Sequence, residues 1–197
     1  MSWISPVTLA GQRARLVPLA QIHSVELIAA ARDGELWKLW YTSVPSPEAM
    51  VEEIDRRLGL QASGSMLPFT VIDGSSGRAV GMTTYMNIDS RYHRVEIGST
   101  WYAKSVQRSA LNTEAKLLLL GHAFDALNCI AVEFRTHHLN HQSRRGIERL
   151  GAKLDGILRA HQRMPNGTLR DTCVYSIIAP EWPAVRAHLE WQLARPR

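Results

Sequence analysis

The strongest constraint on the fold is a strand-like run that passes through a short polar loop directly into an apolar helix. Residues 94–102, RVEIGSTWY, alternate between apolar and polar side chains as a half-buried strand does. Residues 107–120, QRSALNTEAKLLLL, begin as a polar loop and continue as a helix, with Asn112 as the predicted N-cap and Glu114 in the first turn. The first N–H groups of a helix have no partner within it and lie at the positive end of its dipole. The segment therefore predicts an anion-binding site but does not identify the anion.

The composition is that of a globular protein that folds as one domain over residues 1–197. Hydrophobic residues make up 45% and charged residues 21% of the chain. No apolar run is long enough to cross a bilayer, and the first residues lack the pattern of a signal peptide, so we expect no membrane partner. Cys129 and Cys173 have neither metal-ligand spacing nor a disulfide framework around them, and we expect a cytoplasmic protein.

The charge is unevenly distributed along the chain. Residues 1–100 carry 9 Lys/Arg and 10 Asp/Glu, whereas residues 101–197 carry 14 and 8. A basic second half suits a polyanion, either nucleic acid or a phosphate-bearing cofactor, although surface charge for solubility is an alternative. No helix concentrates Lys and Arg on one face, and we therefore expect no nucleic-acid partner.

Hydrophobic periodicity and turn residues predict seven strands and five helices in one mixed sheet flanked by helices. The strands are predicted over 8–19 (with a turn at Gly11), 66–73, 79–88, 94–102, 130–136, 153–159 and 172–178. The helices are predicted over 21–31, 46 to about 59 or 62 (with Ser46 as cap and Pro47 first), 112–128, 140–150 and 180–193. Strands 94–102 and 130–136 enclose a helix and should be parallel, with a right-handed crossover.

Three groups of residues occur in a specific order along most of the chain, from about residue 8 to 178. The first is the loop Gln107–Asn112, followed by Thr113-Glu114-Ala115. The second is Asn140-x-x-Ser143, followed seven residues later by Leu150-Gly151. The third comprises DGILR at 155–159, NGTLRDTCVYS at 166–176 and EWP at 181–183. Together they resemble the GCN5-related N-acetyltransferases (GNAT), and within that family the RimJ/RimL-like branch.

This resemblance implies an α+β fold with a mostly antiparallel sheet of about seven strands and an acetyl-CoA site. The site would lie in the parallel unit formed by the fourth strand, the helix after it and the fifth strand. The resemblance implies no metal. The residues implied to bind acetyl-CoA are Trp101, Tyr102, Ala103, Gln107, Arg108, Ser109, Ala110, Leu111, Asn112, Thr113, Asn140 and Ser143. Asn140 and Ser143 have an alternative role as helix caps, and both roles can hold together.

The implied reaction is direct transfer of an acetyl group to an amine, which requires a base and a proton for the departing thiolate. Glu96 is the candidate base, acting through water, with a surface salt bridge to Arg94 or His93 as the alternative. Ser143, Tyr102 or solvent could protonate the thiolate.

The chain departs from the family pattern at two places. Many family members carry a tyrosine at the position of Ile147, which has no acidic proton. Ala110 and Asn112 replace two loop glycines, and Ala110 is compatible with the loop only if its φ is negative. These departures leave a catalytically silent acyl-CoA-binding module as an alternative.

The acceptor is expected to be a protein N-terminus or a small amine. The residues expected to contact it are Trp37, Trp40, Tyr41, Arg159 and His161. His137, His138 and His141 lack the pair at i and i+4 on one helix that zinc hydrolases use, and we expect no metal site. A homodimer is expected, with the terminal helix and its tryptophans as a possible contact.

Overall fold

The computed structural model describes residues 3–195, which form a mixed α+β fold around one eight-stranded sheet. The strands are β1 (Leu9–Ala10), β2 (Ala14–Pro18), β3 (Met66–Asp73), β4 (Ala79–Asp89), β5 (Arg94–Tyr102), β6 (Ala131–His137), β7 (Lys153–Arg163) and β8 (Leu169–Ile178). Their spatial order is β1-β2-β3-β4-β5-β6-β8-β7. The β5–β6 pair is parallel and the other pairs are antiparallel, as the sequence predicted.

Helices pack on both faces of this sheet. They are α1 (Ser24–Arg32), α2 (Met50–Ala62), α3 (Leu111–Gly121), α4 (His141–Glu148) and α5 (Trp182–Ala194). Thr84 of β4 contacts Arg57 of α2, whereas the preceding Thr83 contacts Lys116 of α3. Successive strand residues point to opposite faces, so α2 and α3 lie on opposite sides of the sheet. No helix within residues 3–195 has the length and apolar character needed to span a membrane.

The sheet contains eight strands rather than about seven because the predicted strand 8–19 is divided. Gly11 N–H donates to the Ala14 carbonyl at 2.9 Å, and this turn separates β1 from β2. The hairpin of β3 and β4 is confirmed. Strands β7 and β8 extend beyond their predicted limits, since they continue to pair as far as Arg163 and Leu169.

Two predicted helix starts are wrong. Helix α2 begins at Met50 rather than at Pro47, and Ser46 belongs to the turn that precedes it. Helix α3 begins at Leu111, so Asn112 lies inside its first turn and is not the N-cap. The N-cap residue is Ala110, whose side chain cannot accept a hydrogen bond, and the Oγ of the preceding Ser109 accepts from Leu111 N–H at 3.2 Å instead.

Glu114 lies in the first turn of α3 as predicted, but its carboxylate faces β2. It accepts hydrogen bonds from the backbone N–H groups of Arg13 at 2.5 Å and Ala14 at 2.6 Å. These bonds satisfy two donors beside the β1–β2 turn and attach the start of α3 to the sheet edge. In α5, Trp182 is buried and Trp191 is exposed, so only the second can contribute to the predicted dimer contact.

Candidate active site

The two parallel strands separate shortly after they begin to pair. Residues 94–96 of β5 pair with residues 131–133 of β6, and the pairing ends there. Beyond this point β5 continues along β4 as far as Tyr102, and β6 continues along β8 as far as His137. The facing edges of β5 and β6 thus leave backbone N–H and C=O groups that an extended ligand could pair with.

A β-bulge shapes β5 next to this opening. The register places Met82 opposite Trp101 and Thr84 opposite Gly98, which leaves one extra residue in β5. Ser99 occupies the bulge with φ of 48°. Such a conformation is unfavourable for a residue with a side chain, so the surrounding structure has to hold it.

Arg57 supplies part of that support from the opposite layer. Its guanidinium is buried and donates to Thr84 Oγ1 at 2.8 Å and to the Ser99 carbonyl at 3.4 Å. Its Nε donates to Glu53 at 2.7 Å, which gives the buried charge a partner. Arg57 therefore ties α2 to the bulge.

A cavity of about 520 Å³ lies at the opening between β5 and β6. Its size is typical of pockets for small molecules and cofactors. The predicted site residues that line it are Tyr41, Glu96, Trp101, Tyr102, Gln107, Arg108, Asn112, Asn140, Ser143 and His161. The predicted site residues outside its lining are Trp37, Trp40, Ala103, Ser109, Ala110, Leu111, Thr113 and Arg159. Arg159 is instead an exposed side chain that pairs with Asp171 at 2.6 Å.

Glu96 is a buried carboxylate on the wall of this cavity. Asn87 Nδ2 donates to its Oε2 at 2.6 Å, and Arg135 lies 3.5 Å from the same oxygen. The alternative role, a surface salt bridge to Arg94 or His93, is wrong, because Glu96 is buried and pairs with Arg135, while Arg94 pairs with Glu133. Burial raises the pKa of Glu96, and the hydrogen bond from Asn87 and the charge of Arg135 oppose that rise.

Gly98 allows the Glu96 side chain to adopt its position. A Cβ at residue 98 would lie 2.8 Å from Glu96 Oε1 and 2.6 Å from the sulfur of Met86. Both distances are too short for a real contact, so a larger residue would displace the carboxylate.

The loop before α3 has the negative φ at Ala110 that its sequence requires. Ala110 has φ of −75°, so alanine fits where the family has glycine. The left-handed residue of the loop is Arg108, with φ of 58°. Gln107 Nε2 donates to the Tyr102 carbonyl at 2.9 Å and fixes the loop to the end of β5.

Helix α4 contributes a cap and an apolar side chain to the cavity. Asn140 Oδ1 accepts from Ser143 N–H at 3.0 Å, so the capping role of Asn140 is confirmed. Ile147 lines the cavity, and its hydrocarbon side chain cannot donate a proton.

Sequence reasoning missed Lys116 as part of this site. The side chain is buried and lines the cavity, and Nζ donates to Thr100 Oγ1 at 3.0 Å and to Thr83 Oγ1 at 3.4 Å. Burial lowers its pKa to about 7. The sequence did contain a signal for a functional Lys116, since it is a single lysine within the apolar run of this helix.

His137 lies on the cavity wall, a position that its sequence context did not predict. Its Nδ1 accepts from Leu139 N–H at 3.1 Å, which leaves the proton of the neutral ring on Nε2. The ring meets the edges of Trp40 and Tyr41, with centroids 5.2 and 6.5 Å away. Within residues 3–195, no three His, Cys or acidic side chains converge as a metal site would require.

Several buried polar atoms around the cavity have no hydrogen-bond partner within residues 3–195. They are Trp101 Nε1, Tyr102 Oη, Asn112 Oδ1 and His137 Nε2. Buried polar atoms are normally paired, so these atoms fit a cavity that receives a polar ligand. A ligand with amide, phosphate and hydroxyl groups, such as acetyl-CoA, matches this set of donors and acceptors.

Comparison with known proteins gives a consistent result. The family model described as acetyltransferase (GNAT) domain matches residues 13–153. A GCN5-related N-acetyltransferase from Brucella melitensis is 32% identical, with a TM-score of 0.87 over 97% of this chain and 87% of that one. Mycobacterium smegmatis RimJ in complex with CoA-disulfide is 21% identical, with a TM-score of 0.81 over 96% of each chain. No curated protein matches the chain by sequence.

Proposed function

Because the chain belongs to the GNAT family and is an acetyl-CoA-dependent N-acetyltransferase, we propose that it acetylates a primary amine, either a protein N-terminus or a small amine, by direct transfer. The observation that carries this proposal is the buried carboxylate of Glu96, which lines the cavity where β5 and β6 separate. A buried carboxylate with a raised pKa at such an opening is suited to accept a proton from an acceptor amine.

The residues proposed to hold acetyl-CoA that line the cavity come from the end of β5, from the loop and first turn of α3, and from the start of α4. Residues 101–103, at the end of β5, would pair with the pantetheine arm on the side away from β4, and Asn140 would contact the same arm. The loop 107–113 and the start of α3 would bind the pyrophosphate through backbone N–H groups. When bound, acetyl-CoA supplies an acetyl thioester, which is activated towards attack by an amine.

Glu96 is proposed to accept the amine proton through a water molecule. Asn87 and Arg135 hold its carboxylate in place and favour its ionised form. The raised pKa makes that carboxylate a stronger base than a solvent-exposed glutamate, and a pKa closer to the working pH favours general base catalysis.

Solvent is proposed to return a proton to the departing thiolate. Ile147 has no proton to give. Burial raises the pKa of Tyr102 well above its ordinary value, so its hydroxyl can donate a hydrogen bond but is a poor proton source. The hydroxyl of Ser143 is a weaker acid still, and its proposed role is to contact the cofactor.

A catalytically silent acyl-CoA-binding module is the second candidate. The observation that favours it is the side chain of Ile147, which lines the cavity where many relatives are expected to carry an acid. Release of free thiol from acetyl-CoA in the presence of an amine separates the two functions, because a silent module would bind acetyl-CoA without releasing thiol.

Thermal unfolding with acetyl-CoA, CoA and ATP tests the proposal first. A ligand at 100 times its Kd stabilises the protein by about 2.7 kcal/mol, which raises Tm by roughly 5–10 °C for a chain of this size. We expect a shift with acetyl-CoA and CoA and little shift with ATP. A panel of amines and short peptides then identifies the acceptor by thiol release. No shift with either coenzyme would contradict the enzyme function.

A further inference from the structure

Lys116 is a buried amine without a counter-charge. Its side chain is 6% exposed, and its hydrogen-bond partners within residues 3–195 are the hydroxyls of Thr83 and Thr100. No carboxylate within those residues forms an ion pair with it. A buried cation in such surroundings is unfavourable, and proteins normally avoid it.

Packing does not account for the amine. Thr83 Oγ1 and Thr100 Oγ1 already bond to each other at 2.8 Å, so neither hydroxyl depends on Lys116 for a partner. A methionine or leucine at this position would fill similar space without burying an amine. We therefore expect the amino group to pair with a ligand from outside the chain.

The surroundings of Lys116 indicate an anion as that partner. Lys116 follows Asn112 by four residues on α3, so the two side chains lie on the same side of the helix. Both line the cavity, together with Gln107 and Arg108 of the preceding loop. Asn112 Oδ1 is buried and has no partner within residues 3–195, which indicates that a polar ligand enters this end of the cavity, while the groups there that can donate to an anion are the Lys116 amine and the N–H groups at the start of α3.

We propose that Lys116 is the counter-charge for the diphosphate of coenzyme A, and that its amine takes up a proton when the diphosphate binds at the start of α3. This inference rests on the proposed function, since it requires that coenzyme A binds in this cavity. The proton comes from solvent and adds to the amine nitrogen, and no bond of the ligand changes.

The groups that face Lys116 do not compete for this proton. Strand β4 contributes Thr83 and β5 contributes Thr100, and Tyr102, which lines the same cavity, stays neutral because burial raises its pKa. The nearest acid along α3, Glu114, bonds to the backbone of β2 instead. Burial alone lowers the pKa of Lys116 to about 7.

The sign of the pH dependence follows from that value. Well below pH 7 the amine already carries its proton, and binding takes up none. Above pH 7 the unliganded amine is mostly neutral, and a bound diphosphate raises its pKa, so binding takes up a proton. Affinity should therefore fall as pH rises, by up to about tenfold per unit.

Calorimetry at pH 8, in two buffers of different ionisation enthalpy, measures the protons taken up. With acetyl-CoA we expect about 0.9 proton for the wild type, the neutral fraction of an amine with a pKa of about 7. The exposed control Lys104→Met should match the wild type. Lys116→Met should take up close to none and should bind at least about tenfold more weakly at pH 7. Its Tm should equal or exceed that of the wild type, which would show that it folds.

Fragments of the ligand show which part of coenzyme A causes the proton uptake. ADP carries the diphosphate without the pantetheine arm and should bind far more weakly than coenzyme A, as ATP should, so uptake is expected only at ADP concentrations high enough to saturate the site. Acetyl-pantetheine carries no phosphate, and uptake with it alone would overturn the assignment. Wild-type binding of acetyl-CoA without uptake, or uptake unchanged in Lys116→Met, would also overturn it. If the wild type does not bind acetyl-CoA at all, the proposed function itself falls.

Discussion

Replacing Glu96 with glutamine tests the proposed chemistry most directly. The substitution removes the negative charge and keeps an oxygen that can accept from Asn87 Nδ2, which now lies 2.6 Å from the carboxylate. A general base contributes about 100- to 10,000-fold in rate, so kcat/KM should fall by about 100-fold or more at neutral pH. Affinity for acetyl-CoA should change by less than about twofold, since the loop proposed to bind the phosphates follows the opposite end of β5.

The pH profile gives a second measure of the same role. Glu96 must be ionised to accept a proton, so kcat/KM of the wild type should rise with pH through the raised pKa of Glu96 and then level off. That limb should be absent in Glu96→Gln. A further limb at higher pH, from the acceptor amine, should remain in both proteins.

The stability of the variant separates lost catalysis from lost folding. The folded-state pKa of Glu96 is raised, so the folded protein loses stability as pH rises from the unfolded pKa through the folded one. Glutamine does not ionise and avoids that loss. We therefore expect Glu96→Gln to have a Tm equal to or above that of the wild type at pH 8.

Glu133→Gln is the matched control. Glu133 lies opposite Glu96 in register on β6, bonds to Arg94 and Arg135, and is not part of the cavity lining. Burial acts to raise its pKa, but the two arginines outweigh that effect and lower it. Its activity should stay within about threefold of the wild type. The reasoning is refuted if Glu96→Gln retains activity within about threefold, or if both variants lose equal amounts.

Two further substitutions test how the site is held. Arg57→Met leaves Glu53 and the Ser99 bulge without their buried partner. Urea unfolding should show that the free energy of unfolding falls by about 3 kcal/mol. A decrease below about 1 kcal/mol would mean that the bulge does not depend on this residue. Asn140→Ala removes the cap of α4 and should cost about 1 kcal/mol. Asn140→Asp should restore that stability, because aspartate also caps a helix. It should not restore acetyl-CoA affinity, because aspartate has no amide N–H. Restored affinity would contradict contact between the Asn140 amide N–H and the pantetheine arm.

Much of the architecture could be predicted from local patterns. The strand-length segments 66–73 and 79–88 on either side of a Gly-Ser-Ser-Gly turn gave the β3–β4 hairpin, because turn residues between two such segments are a local signal. The strand, polar loop and apolar helix at 94–120 gave the crossover between β5 and β6. Helix starts were less predictable, since Ser46 and Asn112 are good caps by residue type while the actual starts depend on tertiary contacts.

The sequence by itself determined the order of strands and helices, the family and the loop at the start of α3, because these depend on residues close together in the chain. Only the tertiary structure decided which side chains share the cavity. Glu96 obtains its raised pKa from burial, and Asn87 and Arg135, which belong to two other strands, oppose that rise. Lys116 becomes buried beside the hydroxyls of Thr83 and Thr100 only where α3 packs on the sheet. Burial and its effect on charge depend on distant parts of the chain, so no local pattern records them.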